Sequence, residues 1–175
     1  GHLICPACRI EVTSYNPQSV AATLASIESG VRFQIVYPVS PEVEVLEALG
    51  EAMRAGFSRA IVGDVTVELL RADRDLGKTE NSKPVRIVVD RLKTGGTDAS
   101  RLRESIELAF YCGVGNCEIW FDKQWQPKMK ECSVDGRTWY ANSYSRDSVC
   151  SACSRSFLRP EPRLFSFQNS AGACP

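Results

Sequence analysis

"VRFQIVYPVSPEVEVLEALGEAMRAGFSRAIVGDVTVELL", residues 31–70, decides how this chain is built. It opens on β-branched and aromatic residues from Val31 to Val39, the composition of a buried strand. A break at Ser40-Pro41 follows, and then apolar residues recur at helical spacing: Val43, Leu46, Leu49 and Met53. Ser40 reads as the cap of that helix, Pro41 as a first-turn residue and Gly56 as its stop. Beyond Gly56, "FSRAIVGDVTVELL" reads as two short strands around a turn at Gly63-Asp64. Strand, helix and strand pair in one short stretch predict layers of sheet and helix.

The same grammar extends outward. "NPQSVAATLASIESG" (16–30) predicts a helix capped by Asn16, with Pro17 in its first turn, Gly30 as its end and Val20, Leu24, Ile27 and Val31 on one face. "RADRDLGKTENSKP" (71–84) is a polar loop, and "VRIVVDRL" (85–92) is the clearest strand of all. A helix over "ASRLRESIELAFYCG" (99–113) turns Leu102, Ile106, Ala109 and Phe110 inward and stops at Gly113. "CEIWFD" (117–122) is a further strand. The expected fold class is α+β, an open α/β layer over 16–122 in which helices cover a mixed β-sheet. Residues 123–148 read as a hairpin or ordered loop around "VDGR".

Outside this layer lie the cysteines. Segment 1–15 carries "CPAC" (Cys5, Cys8) and segment 149–175 carries "CSAC" (Cys150, Cys153), then Cys174. Cys-x-x-Cys curls the backbone so that two thiolates face one metal, and tetrahedral zinc is the usual occupant. A small Cys-rich zinc-type module near the two termini is therefore expected, with the α/β domain inserted between its halves. A disulfide framework and a thioredoxin-type redox pair are the other readings. A redox pair belongs at the start of a helix, whereas "RIEVTSYNP" after Cys8 reads as turn or strand. Cys112, Cys117 and Cys132 have no partner at ligand spacing and read as buried thiols.

Composition narrows the function. The chain has 175 residues, and 21 Lys plus Arg balance 21 Asp plus Glu. Zero net charge argues against a chain held on nucleic acid by bulk charge. No apolar run spans a bilayer and no secretory leader opens the chain, where Gly1 reads as a tag remnant, so a cytoplasmic location without membrane contact is expected. Gly77-Lys78-Thr79 imitates the tail of a phosphate loop, but its first glycine is replaced by Ala72 and no strand runs into it. The single histidine, His2, leaves no Ser-His or Cys-His dyad to build. Acidic residues form no acid/base pair. No catalytic machinery is expected, and a small enzyme using Cys112 or Cys117 as nucleophile ranks last.

Several stretches carry a family likeness. "EPRLFSFQNSAGACP" (161–175), preceded by "CSAC", resembles a segment of the UvrA family of bacterial ABC excinuclease proteins. "VRIVVDRL" resembles that family's strand ending Val-Val-Asp-Arg, and "GVRFQIVYPV" with "EALGEAMRAGFSRAIVGD" follows its preceding strand, helix and Gly-Phe-x-Arg turn. "CPAC" matches its Cys-Pro-x-Cys. The likeness covers most of the chain and is weakest over 112–148.

The resemblance implies a UvrB-binding domain inserted in the first half of a large dimeric ATPase that scans DNA in nucleotide excision repair. It implies Arg59 and Arg91 as contacts to UvrB, and ATP and DNA as ligands of the longer parent, itself a homodimer. It also implies a four-cysteine zinc finger of Cys150, Cys153, Cys174 and a cysteine just past Pro175; in the present chain Cys5 and Cys8 would complete a site with Cys150 and Cys153 if the ends meet, or no zinc is held. A zinc-dependent nucleic-acid-binding module is the alternative, with "RSFLRPEPR" as its basic segment and Phe157, Phe165 and Phe167 for stacking.

Overall fold

A computed structural model describes residues 3–72, 83–150, 153 and 155–157. The chain divides into two compact units, Gly1–Ser14 with Asp147–Pro175, and Tyr15–Arg146. The second is thus inserted in sequence between the halves of the first.

The inserted unit begins with helix α1, Pro17–Ala25. Asn16 caps it: its side-chain oxygen accepts from the Ser19 N–H at 2.8 Å, and Ser19 Oγ accepts in return from the Asn16 N–H at 3.1 Å. Strand β3 (Arg32–Pro38) leads to α2 (Val45–Arg54), β4 (Arg59–Val62) and β5 (Val65–Glu68). Strand β6 (Val85–Lys93), helix α3 (Ala99–Cys112) and β7 (Asn116–Phe121) follow. Then come β8 (Lys130–Val134) and β9 (Arg137–Ser145).

The seven strands form one sheet in the order β5-β4-β6-β3-β7-β9-β8. The expected α+β class holds, but every pairing among these strands is antiparallel, so the sheet is not mixed. The reason is topological. Each helix crossover carries the chain past one strand position: β3 and β4 flank β6, while β6 and β7 flank β3. Strands joined by a helix are parallel to each other yet never neighbours, the arrangement of split βαβ units.

One face of the sheet is covered by helices. Val20, Leu24, Leu102, Ile106, Ala109 and Phe110 enter its core as their helical spacing predicts; α1 ends at Ala25 and not at Gly30, so Ile27 and Val31 join the same core from the loop that follows it. At about 1.5–3 kcal/mol for each large apolar side chain fully buried, this layer dominates the fold's stabilisation. Helix α2 departs from expectation. It starts at Val45, not in the first turn after Ser40, because Ser40 instead closes a turn in which its carbonyl accepts from the Val43 N–H. Its buried stripe is Val45, Ala48, Leu49 and Ala52, while Leu46 and Met53 are 48% and 41% exposed.

The stretch after Asp122 resolves into a hairpin. Its two-residue turn, Asp135-Gly136, has φ of 52° and 73°, the doubly left-handed geometry that Asp-Gly suits. Strand β9 pairs with β7, so the sheet continues well beyond Asp122. The hairpin then curls over the face that lacks helices. Asp135 N–H donates to the Asp64 carbonyl at 2.9 Å, and Asp135 Oδ1 accepts from Thr66 N–H at 2.9 Å. The two outer hairpins of the sheet thereby meet above a second core of Val36, Ile61, Val88, Trp120, Val134 and Ala141.

The terminal unit holds two small antiparallel pairs, β1 (Leu3–Ile4) with β2 (Glu11–Val12) and β10 (Ser148–Val149) with β11 (Ser156–Phe157). A bridge between Thr13 and Val149 links them.

Candidate functional site: an arginine face and a four-thiol cluster

Side-chain alternation puts Arg59 and Arg91 on the sheet face opposite the helices. In β4, Ala60 and Val62 join the helix-side core and Ile61 the opposite one, so Arg59 shares the face of Ile61. In β6 a bulge displaces the pairing between Val88 and Asp90. It turns Asp90 toward α3, where its carboxylate accepts from Arg101 Nε at 3.1 Å, Arg101 Nη2 at 3.0 Å and Ser105 Oγ at 2.9 Å. Asp90 thus pins a helix to the sheet and does not hold the Arg91 guanidinium. Arg91 takes the opposite face, paired across the ladder with Gln34.

The two arginines sense each other. Partial burial holds the Arg91 guanidinium below the usual arginine range, the positive charge of Arg59 adds to that, and the Asp135 carboxylate acts the other way. Neither arginine forms an ion pair among the described residues. Arg86, on the same face, is committed: its Nε meets Glu118 Oε2 at 2.7 Å, its guanidinium lies 5.2 Å from the Trp120 ring centroid, and Trp120 Nε1 donates to the same Glu118 oxygen at 2.8 Å. Two guanidinium groups on one face, neither committed to an ion pair among the described residues, suit a planar anion gripped through paired hydrogen bonds.

The terminal unit gathers Cys5, Cys8, Cys150 and Cys153, whose sulfurs all lie within 4.8 Å of one another. Cys5 and Cys153 Sγ are 3.7 Å apart. A tetrahedral site with zinc–sulfur bonds of about 2.3 Å has sulfur–sulfur edges of about 3.8 Å, so the donor set and its spacing fit a structural zinc. Hydrogen bonding to Cys153, burial, and the neighbouring Cys150 push the Cys8 thiol up to about 12. Four close thiols cannot all ionise unaided, and a metal cation removes that restraint. The core beneath them is small: Cys5, Val12 and Cys150, with Leu3, Cys8 and Phe157 against it. Phe157 is therefore partly covered by its own unit and is no free stacking platform. Cys174, Phe165, Phe167 and the Gly77-Lys78-Thr79 stretch lie outside the described residues.

Among the described residues the other cysteines, Cys112, Cys117 and Cys132, are free thiols; Cys117 is buried as expected, whereas Cys112 and Cys132 are only partly buried. Burial pushes Cys117 up to about 12 and raises Cys112 and Cys132 as well. A thiol kept protonated is a poor nucleophile. No helix among the described residues is long and apolar enough to cross a membrane.

A family model described as the UvrA interaction domain matches residues 16–123, which is the α1–β7 stretch and most of the arginine face. The chain belongs to the UvrA interaction domain family. Relatives named UvrABC system protein A cover nearly all of it. They include those of Streptomyces coelicolor (29% identical, 98% of this chain), Oceanobacillus iheyensis (29%, 100%) and Treponema pallidum (28%, 100%). The chain spans 16–18% of the length of these relatives. Sequence reasoning singled out Arg59 and Arg91 but passed over Gln34, Asp135 and Trp139, which line the cleft beside Arg91. A glutamine inside the apolar run "FQIVYP" was the available signal, because a strand buried on both faces seldom spends a position on a carboxamide.

Proposed function

We propose that the chain is a UvrB-docking domain of a UvrA protein acting in nucleotide excision repair, and that it has no catalytic activity of its own. The observation that carries this reading is that Arg59 and Arg91 share the helix-free face of a UvrA interaction domain and neither forms an ion pair among the described residues. Their partner is an acidic surface of UvrB. In this reading ATP, DNA and homodimer formation belong to the longer parent. The Cys5, Cys8, Cys150 and Cys153 cluster holds a zinc ion that shapes the terminal unit.

Titration of the chain against UvrB from the same source tests it by calorimetry. Arginines at the centre of an interface cost on the order of 2 kcal/mol when truncated. Arg59→Ala and Arg91→Ala should therefore each weaken binding about tenfold or more. Unchanged affinity in both variants removes them from the interface, and no binding by the unaltered chain removes the reading.

A further inference from the structure

The face that carries Arg91 also carries a cavity of about 1060 Å³, lined from β3 and β6 on one side and from the β8–β9 hairpin on the other. Four cations line it: Arg32, Arg91, Lys93 and Arg137. Asp122 and Asp135 are the carboxylates in its wall, which leaves the cavity cationic. None of the four cations forms an ion pair among the described residues. Asp122 spends an oxygen on the Arg32 backbone N–H at 3.1 Å, and Asp135 spends one on Thr66.

The cavity's second feature is Gln34. It sits mid-strand between Arg91 on β6 and Trp120 on β7, with only 1% of its surface exposed. Its Oε1 has no hydrogen-bond partner, although buried polar atoms in folded proteins nearly always have one. The fold tolerates that cost where a ligand supplies the missing donor. Gln34 lines the cationic cleft, and its buried acceptor is reached when an entering segment parts the side chains over it, which favours a chain that brings negative charges together with N–H groups.

We propose that this cleft receives an extended acidic peptide segment of the partner. Its carboxylates meet Arg32, Arg91, Lys93 and Arg137, while a main-chain N–H of the same segment donates to Gln34 Oε1. Trp139, half-buried on β9, supplies an apolar wall. The DNA backbone fits less well, since phosphodiesters offer acceptors and leave Gln34 Oε1 unpaired. The proposal rests on the reading of the chain as a UvrB-docking domain and adds Gln34 as its specificity-determining residue.

Gln34→Leu keeps the side chain's bulk, deletes the carboxamide and removes an unpaired buried acceptor. Its melting temperature should equal or exceed that of the unaltered chain, while affinity for UvrB falls about tenfold. A merely structural glutamine would show the reverse pattern. Should the variant melt lower, Arg137→Ala, at an exposed position, is read by the same affinity criterion. Wild-type affinity in these variants, with Arg59→Ala still weakened, overturns the cleft and leaves UvrB docking standing. If the unaltered chain does not bind UvrB, docking fails. The cleft is then tested with a twelve-residue glutamate peptide and with duplex DNA, by NMR shifts of the Gln34 carboxamide and the Trp139 indole. Shifts with the peptide support the cleft; shifts with DNA alone, or with neither, overturn it.

Discussion

At Gly113 the chain has no room for a side chain. A Cβ there would stand 2.0 Å from the Asn116 carbonyl oxygen and 2.9 Å from both the Ala109 oxygen and Tyr37 Cβ. Its φ of −83° is open to any residue, so crowding by backbone, rather than left-handed geometry, requires glycine here. Gly113→Ala should destabilise the domain by about 3 kcal/mol, read as a lower urea midpoint; an unshifted midpoint would show that the β7 entry relaxes freely. The sequence marks Gly113 as a helix end, correctly placed, but the contact with Asn116 and Tyr37 is a tertiary fact. Arg59 and Arg91 behave oppositely. Since they repel each other and have no ion pair among the described residues, replacing either with Ala should change the unfolding free energy by less than about 0.5 kcal/mol. Loss of binding in those variants then reports on the interface and not on the fold.

Helix α2 shows how an element can be legible in kind and ambiguous in phase. Val43-Leu46-Leu49-Met53 and Val45-Ala48-Leu49-Ala52 both recur at helical spacing, and larger side chains favour the first. The structure chooses the second because the helix starts only at Val45, which turns Val45, Ala48, Leu49 and Ala52 toward the core. Leu49→Ala should cost about 3 kcal/mol, as a cavity opens among Tyr37, Ala60, Val62 and Ile87. Leu46→Ala, on the exposed side, should cost less than about 0.5 kcal/mol. Equal losses in thermal or urea unfolding would mean that the helix is rotated from the orientation described. Helices α1 and α3 carry no such ambiguity. Each has a capping side chain, Asn16 as the sequence predicts and Asp98 as the structure adds, and a single wide apolar stripe.

Over the whole molecule, two units answer to different forces. The sheet-and-helix unit buries phenols along with its aliphatic core. Burial raises Tyr144 from its ordinary 10 to about 12, with its ring edge-on to Tyr15 at 5.0 Å. Between about pH 10 and pH 12 the unfolded chain therefore loses a proton that the folded one keeps. Stability from this group is complete below about pH 10 and declines by up to about 1.4 kcal/mol per pH unit above it. Tyr144→Phe should flatten that alkaline decline, and an unchanged pH profile would place the loss elsewhere. Among the described residues the terminal unit has too small a core to hold its shape by burial alone. Elemental analysis should find about one zinc per chain, and a chelator should abolish slow amide exchange in residues 3–12 and 148–150 while leaving the β3–β6–β7 amides protected. Absence of bound zinc, or protection that survives the chelator, would refute the metal-held reading. The sequence alone determined the order of helices and strands as far as β7, the Asn16 cap, the paired cysteines and the family likeness, because each of these is written in residues a few positions apart. Only the tertiary structure decided the antiparallel strand order, the inward phase of α2, the curl that brings Asp135 to Asp64, the meeting of Cys5 with Cys153 and the burial of Gln34 beneath a cationic cleft. All five join residues far apart in the chain, and their pairing is set by how crossovers close and which faces must be covered together, not by any local pattern.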